Sequence, residues 1–296
     1  MTDYTSRTLA TCARSVLLTL AMAAPAIAGD FFEVEPGVDL YYEDHGSGLP
    51  IVFVPGWTFT TQVFEHQIEA FAKDHRVITF DPRSHGRSTL TLEGNNYVTQ
   101  GADLAKLLDH LKVEKPVLVG WSFGCLTTWE FIKTRSVDAA SAHMCIDLSP
   151  TPLTGNDGDW AEGSVAEIAE LYSGIQSAEG QRNVINWYAD EVMIEQDYTP
   201  ELSRWIVDQS TKSPPFVAAA YLAAGNFSNY LETAKEVDAK LPSAFVIADH
   251  WSDSAKAYLA VHTPNSSVQA FGGHMMFWEY PDRFNRVLAG FIAQIE

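Results

Sequence analysis

One serine in this sequence stands in a setting that predicts a nucleophile. The run Gly120-Trp121-Ser122-Phe123-Gly124 follows the apolar stretch Val117–Val119 and precedes a helical pattern over Leu126–Lys133. A tight turn between a strand and a helix strains its central residue, and glycines are needed on both sides because other backbone lies against them. Unpaired N–H groups at the start of the helix stabilise negative charge. The pattern therefore predicts that Ser122 attacks an electrophilic centre.

The base that must activate this serine is expected to be His274. A serine hydroxyl is a weak nucleophile until a neighbouring base removes its proton. His274 follows the last predicted strand, and Gly272 and Gly273 before it leave its loop free to turn back toward the serine. The other histidines, His85 among them, are expected to be structural or solvated.

Three segments around these residues resemble the α/β-hydrolase family, in the family's own order. Gly46–Trp57 is similar to the approach to the oxyanion loop, with Pro55 where histidine is more usual; Asp81–Ser88 is similar to the D-x-R-G-x-G-x-S turn, with Ser84 in place of a glycine; Gly272–Phe284 is similar to the loop of the catalytic histidine. The resemblance implies an α/β-hydrolase fold, in which helices flank a mostly parallel central sheet and a helical lid is inserted. It also implies an oxyanion hole formed by the backbone amides of Trp57 and Phe123.

The acid of the expected Ser-His-acid triad departs from the common family pattern. The position where most members carry it, after the strand that follows the lid, holds Trp251. Asp249 and Asp253 flank that position, but each would need a shifted loop to reach His274. A minority of the family, including the haloalkane dehalogenases, place the acid at the end of the preceding strand, where this chain has Asp147. Asp147 is therefore the predicted acid, with Asp249 and Asp253 as alternatives.

The elements expected to position these residues alternate between β-rich and helical segments, which favours a largely parallel sheet with helices on both faces. Val38–Asp44 is predicted to be an early antiparallel strand. The later predicted strands are Ile51–Val54, Val77–Phe80, Val117–Val119, Met144–Ile146, Ala244–Ile247 and Val268–Phe271, and the predicted helices include Tyr97–Leu111 and Asp282–Ile295. Residues 150–241 contain no convincing strand and many aromatic residues. We expect a hydrolase core over 29–149 and 242–296, with 150–241 as a helical lid.

The first 28 residues read as a signal peptide. Arg7 and Arg14 supply positive charge, Val16–Ala24 is apolar, and Ala26–Ala28 has the small-x-small pattern of a cleavage site. The apolar stretch is too short to span a bilayer. We therefore expect a secreted or periplasmic protein with no stable membrane insertion.

Composition limits the partners and cofactors. Asp and Glu number 38 against 19 Lys and Arg, which gives a formal charge of −19. No excess of basic residues is therefore available to neutralise the phosphates of nucleic acid. No His/Cys/Asp cluster has metal-ligand spacing, and we expect neither metal nor cofactor. After loss of the signal peptide only Cys125 and Cys145 remain, and both a disulfide and two buried thiols stay open.

The expected reaction is cleavage of a carboxylic ester or lactone through an acyl-enzyme intermediate, on a small to medium, largely uncharged substrate. Dehalogenase or epoxide-hydrolase chemistry would need an aspartate where Ser122 stands. A carbon–carbon bond hydrolase and a cofactor-free perhydrolase on the same fold remain alternatives. So does a ligand-binding or signalling protein of this fold with slow turnover.

Overall fold

The computed structural model describes residues 29–153, 160–196 and 199–295; the predicted signal peptide, residues 1–28, lies outside them. Within these residues, eight strands form one sheet in the order β1-β2-β4-β3-β5-β6-β7-β8. The strands are β1 (Asp30–Glu35), β2 (Val38–Gly46), β3 (Pro50–Val54), β4 (Arg76–Phe80), β5 (Val117–Trp121), β6 (Ala142–Ile146), β7 (Ser243–Ile247) and β8 (Ser267–Ala270).

The strands after β2 run parallel to one another, whereas β2 pairs antiparallel with both β1 and β4. The predicted strands are thus confirmed, and β1 is an additional strand that the sequence analysis did not predict. At the carboxyl edge of the sheet, Trp121 of β5 pairs with Ile146 of β6, which pairs with Val246 of β7. Loops that follow these strands therefore meet at one edge, where open parallel sheets bind their ligands.

Helices cover both faces of the sheet, as predicted. They are α1 (Glu65–Phe71), α2 (Tyr97–His110), α3 (Gly124–Arg135), α4 (Val165–Gly174), α5 (Ala178–Tyr188), α6 (Pro200–Ser210), α7 (Pro215–Asn226), α8 (Leu231–Lys240), α9 (Ser252–His262), α10 (Met276–Glu279) and α11 (Pro281–Ile292). Alternate residues of β3 enter opposite cores: Val52 packs in the core that contains α2 and α3, and Phe53 packs in the core that contains α1 and α11. This alternation explains why the strands read as continuous apolar runs.

Between β6 and β7 the described residues form helices α4 to α8 and no strand. A π-helical turn, Ala189–Met193, continues α5 toward the carboxyl edge of the sheet. Helix α7 packs on the core through Tyr221, whose ring centroid lies 5.3 Å from that of Tyr97 in α2. The division of the chain into core and lid stays a prediction. Among the described helices, none has the length and apolar character that a membrane span requires.

Candidate active site

Ser122 occupies the sharp turn between β5 and α3. Its φ is +52°, a strained value for a residue that carries a Cβ. Its amide donates to the Ile146 carbonyl at 2.7 Å, and its own carbonyl accepts from Cys125 at 2.8 Å. A Cβ on Gly120 would lie 2.6 Å from the Cys125 nitrogen, and one on Gly124 would lie 2.3 Å from the Val54 oxygen. Both glycines are therefore required by close backbone approach.

His274 lies against Asp147, with 2.6 Å between Nδ1 and Oδ2. Asp147 is fully buried and follows β6 with a φ of +57°. Its second oxygen, Oδ1, accepts from the Ala248 amide and from Nε1 of Trp251, both at 2.7 Å. The other ring nitrogen of His274, Nε2, is buried and has no hydrogen-bond partner within the described part of the chain. His274 and Ser122 line the same cavity.

The two alternative acids lie elsewhere. Asp249 braces the histidine loop: its Oδ2 accepts from the Gly272 amide at 3.0 Å, and its own amide donates to the Gly272 carbonyl at 2.9 Å. Asp253 is exposed in the first turn of α9. Of the three carboxylates considered, the structure brings Asp147 to His274. Trp251, which fills the position usual for the acid, donates instead to that relocated carboxylate, a contact that sequence reasoning did not find.

The backbone of His274 is held from two sides. Its carbonyl accepts from the indole Nε1 of Trp121 at 2.8 Å, and its amide donates to the Val192 carbonyl at 3.0 Å. The amide of Gly273 donates to the Glu279 carboxylate at 2.8 Å. The loop is thus fastened both to the strand that precedes Ser122 and to the π-helical turn.

The amides of Trp57 and Phe123 were predicted to form an oxyanion hole. Both residues line the cavity, and neither amide donates a hydrogen bond to another described residue. The next amide, that of Thr58, donates to Nε2 of His85 at 3.1 Å. Burial lowers the pKa of His85 to about 4, so its imidazole is neutral and can accept this bond. His85, expected to be structural, therefore supports the loop that carries Trp57.

A disulfide joins Cys125 and Cys145, whose Cα atoms are 5.5 Å apart. This resolves the alternative that the sequence left open. Cys125 lies in the first turn of α3, and Cys145 lies in β6, two residues before Asp147. The bond therefore links the helix that follows Ser122 to the strand that carries Asp147.

The cavity above these residues has a volume of about 300 Å³, at the lower end of the range for small-molecule sites. Its walls are mostly apolar and include Trp57 and Trp121. Polar lining residues besides Ser122 and His274 include Glu162, Tyr188, Asn226 and His250. Burial, and then the charge of Asp147, hold the pKa of Glu162 well above its usual range, whereas burial lowers the pKa of His250. Within the described residues, no group of three or more His, Cys, Asp or Glu side chains is arranged to hold a metal ion.

Comparison with known proteins connects this geometry to one family. The model of the alpha/beta hydrolase family matches residues 51–287. A non-heme haloperoxidase from Rhodococcus erythropolis is 35% identical over 139 residues, 47% of this chain and 50% of that protein. A non-heme chloroperoxidase from Streptomyces lividans is 36% identical over 124 residues, 41% of this chain and 45% of that protein. The chain thus matches half or less of the length of these curated relatives.

Solved structures extend the likeness over nearly the whole chain. A bromoperoxidase from Bacillus anthracis has a TM-score of 0.82 at 22% identity, covering 90% of this chain and 100% of that one. An esterase from Exiguobacterium antarcticum has a TM-score of 0.80 at 19% identity, with the same coverage of both chains. At such identities the likeness concerns the fold, and it confirms the predicted α/β-hydrolase fold with a mostly parallel sheet flanked by helices.

Proposed function

We propose, because this chain belongs to the alpha/beta hydrolase family, that it is a serine hydrolase that cleaves a carboxylic ester or lactone through an acyl-enzyme intermediate. One observation carries the proposal. The Asp147 carboxylate contacts Nδ1 of His274 at 2.6 Å. The other ring nitrogen of His274, Nε2, has no partner among the described residues, and His274 and Ser122 line one cavity. A serine hydrolase needs a nucleophile, a base and a group that orients the base, and the contact of Asp147 with His274 beside the shared cavity supports these roles.

In the proposed mechanism, Ser122 Oγ attacks the substrate carbonyl and His274 Nε2 takes the hydroxyl proton. Asp147 keeps the Nδ1–H tautomer and stabilises the imidazolium that forms. The amides of Trp57 and Phe123 donate to the oxyanion of the tetrahedral intermediate. His274 then passes its proton to the leaving alkoxide, which departs as an alcohol. Water, activated by the same base, releases the carboxylic acid and restores Ser122.

The substrate that best fits is small to medium and uncharged. The cavity is mostly apolar and has a volume of about 300 Å³, and the formal charge of −19 disfavours polyanions. Esterases and an enol-lactonase from Burkholderia xenovorans are among the proteins that share the fold. These names support the ester or lactone class.

Perhydrolysis is the second candidate, and it is favoured by the relatives named as haloperoxidases. In that reaction hydrogen peroxide replaces water as the nucleophile, so that the acyl-enzyme yields a peracid and free Ser122. Peracid formation from acetate esters and peroxide distinguishes it from hydrolysis.

We also propose export to the periplasm or the medium. The signal-peptide pattern of residues 1–28 supports it. The disulfide between Cys125 and Cys145 supports it independently, since such bonds persist in oxidising compartments.

The test is hydrolysis of p-nitrophenyl esters and γ-lactones by wild type, Ser122→Ala, Asp147→Asn and Asp249→Asn. We expect Ser122→Ala and Asp147→Asn to lose turnover, and Asp249→Asn to keep it because asparagine can still accept from Gly272. Loss in Asp249→Asn with retention in Asp147→Asn would contradict the assignment of the acid. A wild type that neither hydrolyses the series nor takes up a fluorophosphonate at Ser122 would favour a binding protein instead.

A further inference from the structure

Three residues that line the cavity hold a buried side-chain atom with no hydrogen-bond partner among the described residues: His274 through Nε2, Asn226 through Oδ1 and Glu162 through Oε1. The first is explained by the proposed base, which must stay free to take a proton. The other two have no part in that mechanism. Because an unpaired buried polar atom is costly, a ligand group that pairs with it gains affinity.

Asn226 presents a hydrogen-bond acceptor. It ends α7 and is 1% exposed. Its Nδ2 donates to the Leu222 carbonyl at 2.9 Å, which assigns the amide orientation because only the nitrogen can face a carbonyl oxygen. The unpaired atom is therefore the oxygen. A Cβ on the preceding Gly225 would lie 2.4 Å from the Phe123 ring, so this end of α7 lies against the residue that follows Ser122.

Glu162 also lines the cavity, and its Oε1 is buried without a hydrogen-bond partner among the described residues. Burial and the nearby charge of Asp147 raise its pKa well above the usual range. Burial thus favours the protonated form of the carboxyl group, which both donates and accepts hydrogen bonds. A carboxylate on a ligand would instead add a second negative charge near Asp147.

We infer that the cavity selects uncharged esters or lactones that carry an N–H or O–H donor near the reacting carbonyl, with Asn226 Oδ1 accepting that donor and Glu162 pairing with the same polar part of the substrate. The inference rests on the proposed function and adds a substrate class to it. A plain alkyl ester contacts the apolar walls of the cavity but leaves the polar atoms of Asn226 and Glu162 unpaired. A site with buried polar groups discriminates strongly against an analogue that lacks the matching group.

The experiment compares p-nitrophenyl esters of N-acetylglycine and of 4-oxopentanoate, which differ by an N–H in place of a CH₂. Because the two esters differ in intrinsic reactivity, the readout is the change, between proteins, in the ratio of their kcat/KM values. We expect Asn226→Leu to lower the preference for the N–H ester by about 10- to 100-fold. Asn183→Leu makes the same change at an exposed position outside the cavity lining, and should keep the wild-type ratio.

Glu162 supplies an independent arm. Glu162→Leu should lower the ratio in the same direction, and Glu162→Gln, whose side-chain amide both donates and accepts hydrogen bonds, should recover it. If thermal unfolding shows that Asn226→Leu does not fold, the kcat/KM ratios of the Glu162 variants still test the inference.

Fluorophosphonate uptake at Ser122 distinguishes a wrong substrate class from failure of the proposed function. If the variants take up the probe and hydrolyse both esters with the wild-type ratio, the substrate class is wrong and the proposed function stands. If wild type takes up no probe and hydrolyses neither ester, the proposed function fails and this inference is overturned with it.

Discussion

The indole N–H of Trp251 gives a direct measure of how much the orientation of Asp147 contributes to turnover. Trp251→Phe keeps an aromatic ring in the cavity wall but removes the donor that lies 2.7 Å from Asp147 Oδ1. The Ala248 amide still holds that oxygen. A hydrogen bond to a charged group contributes about 1.5 to 3 kcal/mol, and about 1.4 kcal/mol is tenfold in rate. We therefore expect kcat/KM to fall by about 10- to 100-fold, mainly through kcat.

Trp160 provides the matched control. It is buried, its ring centroid lies 6.0 Å from that of Trp251, and its Nε1 has no partner among the described residues. Trp160→Phe therefore makes the same change in side chain without removing a bond to Asp147, and should keep kcat. Steady-state hydrolysis of p-nitrophenyl acetate, with thermal unfolding of both variants, is the assay. Wild-type turnover by Trp251→Phe, or an equal loss in Trp160→Phe, would contradict this prediction.

Three further predictions concern the stability of the same framework. Reduction of the Cys125–Cys145 disulfide, which spans 20 residues, should lower the free energy of unfolding by about 3 kcal/mol; urea midpoints that do not move with dithiothreitol would contradict this. Gly124→Ala places a Cβ 2.3 Å from the Val54 oxygen, so it should lower the free energy of unfolding by about 1 to 3 kcal/mol and reduce fluorophosphonate uptake at Ser122. Gly290→Ala meets nothing within 4 Å and should leave the melting temperature unchanged or raise it. Equal melting temperatures of the two variants would contradict this prediction. Burial lowers the pKa of His143 to about 3, so the unfolded chain binds the extra proton below about pH 6.5. His143 should therefore lower the free energy of unfolding by about 1.4 kcal/mol for each pH unit as the pH drops from about 6.5 toward 3. Urea unfolding at several pH values should show that this free energy depends less steeply on pH in His143→Gln than in wild type.

Local pattern carried much of the fold prediction. Apolar runs bounded by turn residues marked the strands from β3 to β7, because a strand buried on both faces needs apolar residues at every position, whereas alternation of apolar and polar residues marked β2. The strand β1 was missed. Its first residues are largely exposed, and it follows directly on the predicted signal peptide. The Pro36-Gly37 turn before Val38, with a φ of +79° at Gly37, was the signal that could have revealed this hairpin.

Ser122 and His274 could be singled out from the sequence because each stands in a local setting that its chemistry requires. The glycines around Ser122 lie so close to the backbone of β3 and α3 that a Cβ would clash with it. Few residue types fit such positions, and the sequence shows them. The sequence therefore determined the strand-turn-helix setting of the proposed nucleophile and the glycine-rich loop of the proposed base.

The partners of these residues were decided by tertiary structure. Asp147 and His274 are 127 residues apart, and they meet because β6, β7 and β8 are adjacent in register at one edge of the sheet. The pairing of β6 with β7 likewise brings Trp251 to Asp147, and the pairing of β5 with β6 brings Cys125 to Cys145. Sequence periodicity reports which face of an element is buried, whereas the contacts of a loop depend on the order of strands in the sheet. For that reason the sequence left three acids open, and packing placed one of them against the histidine.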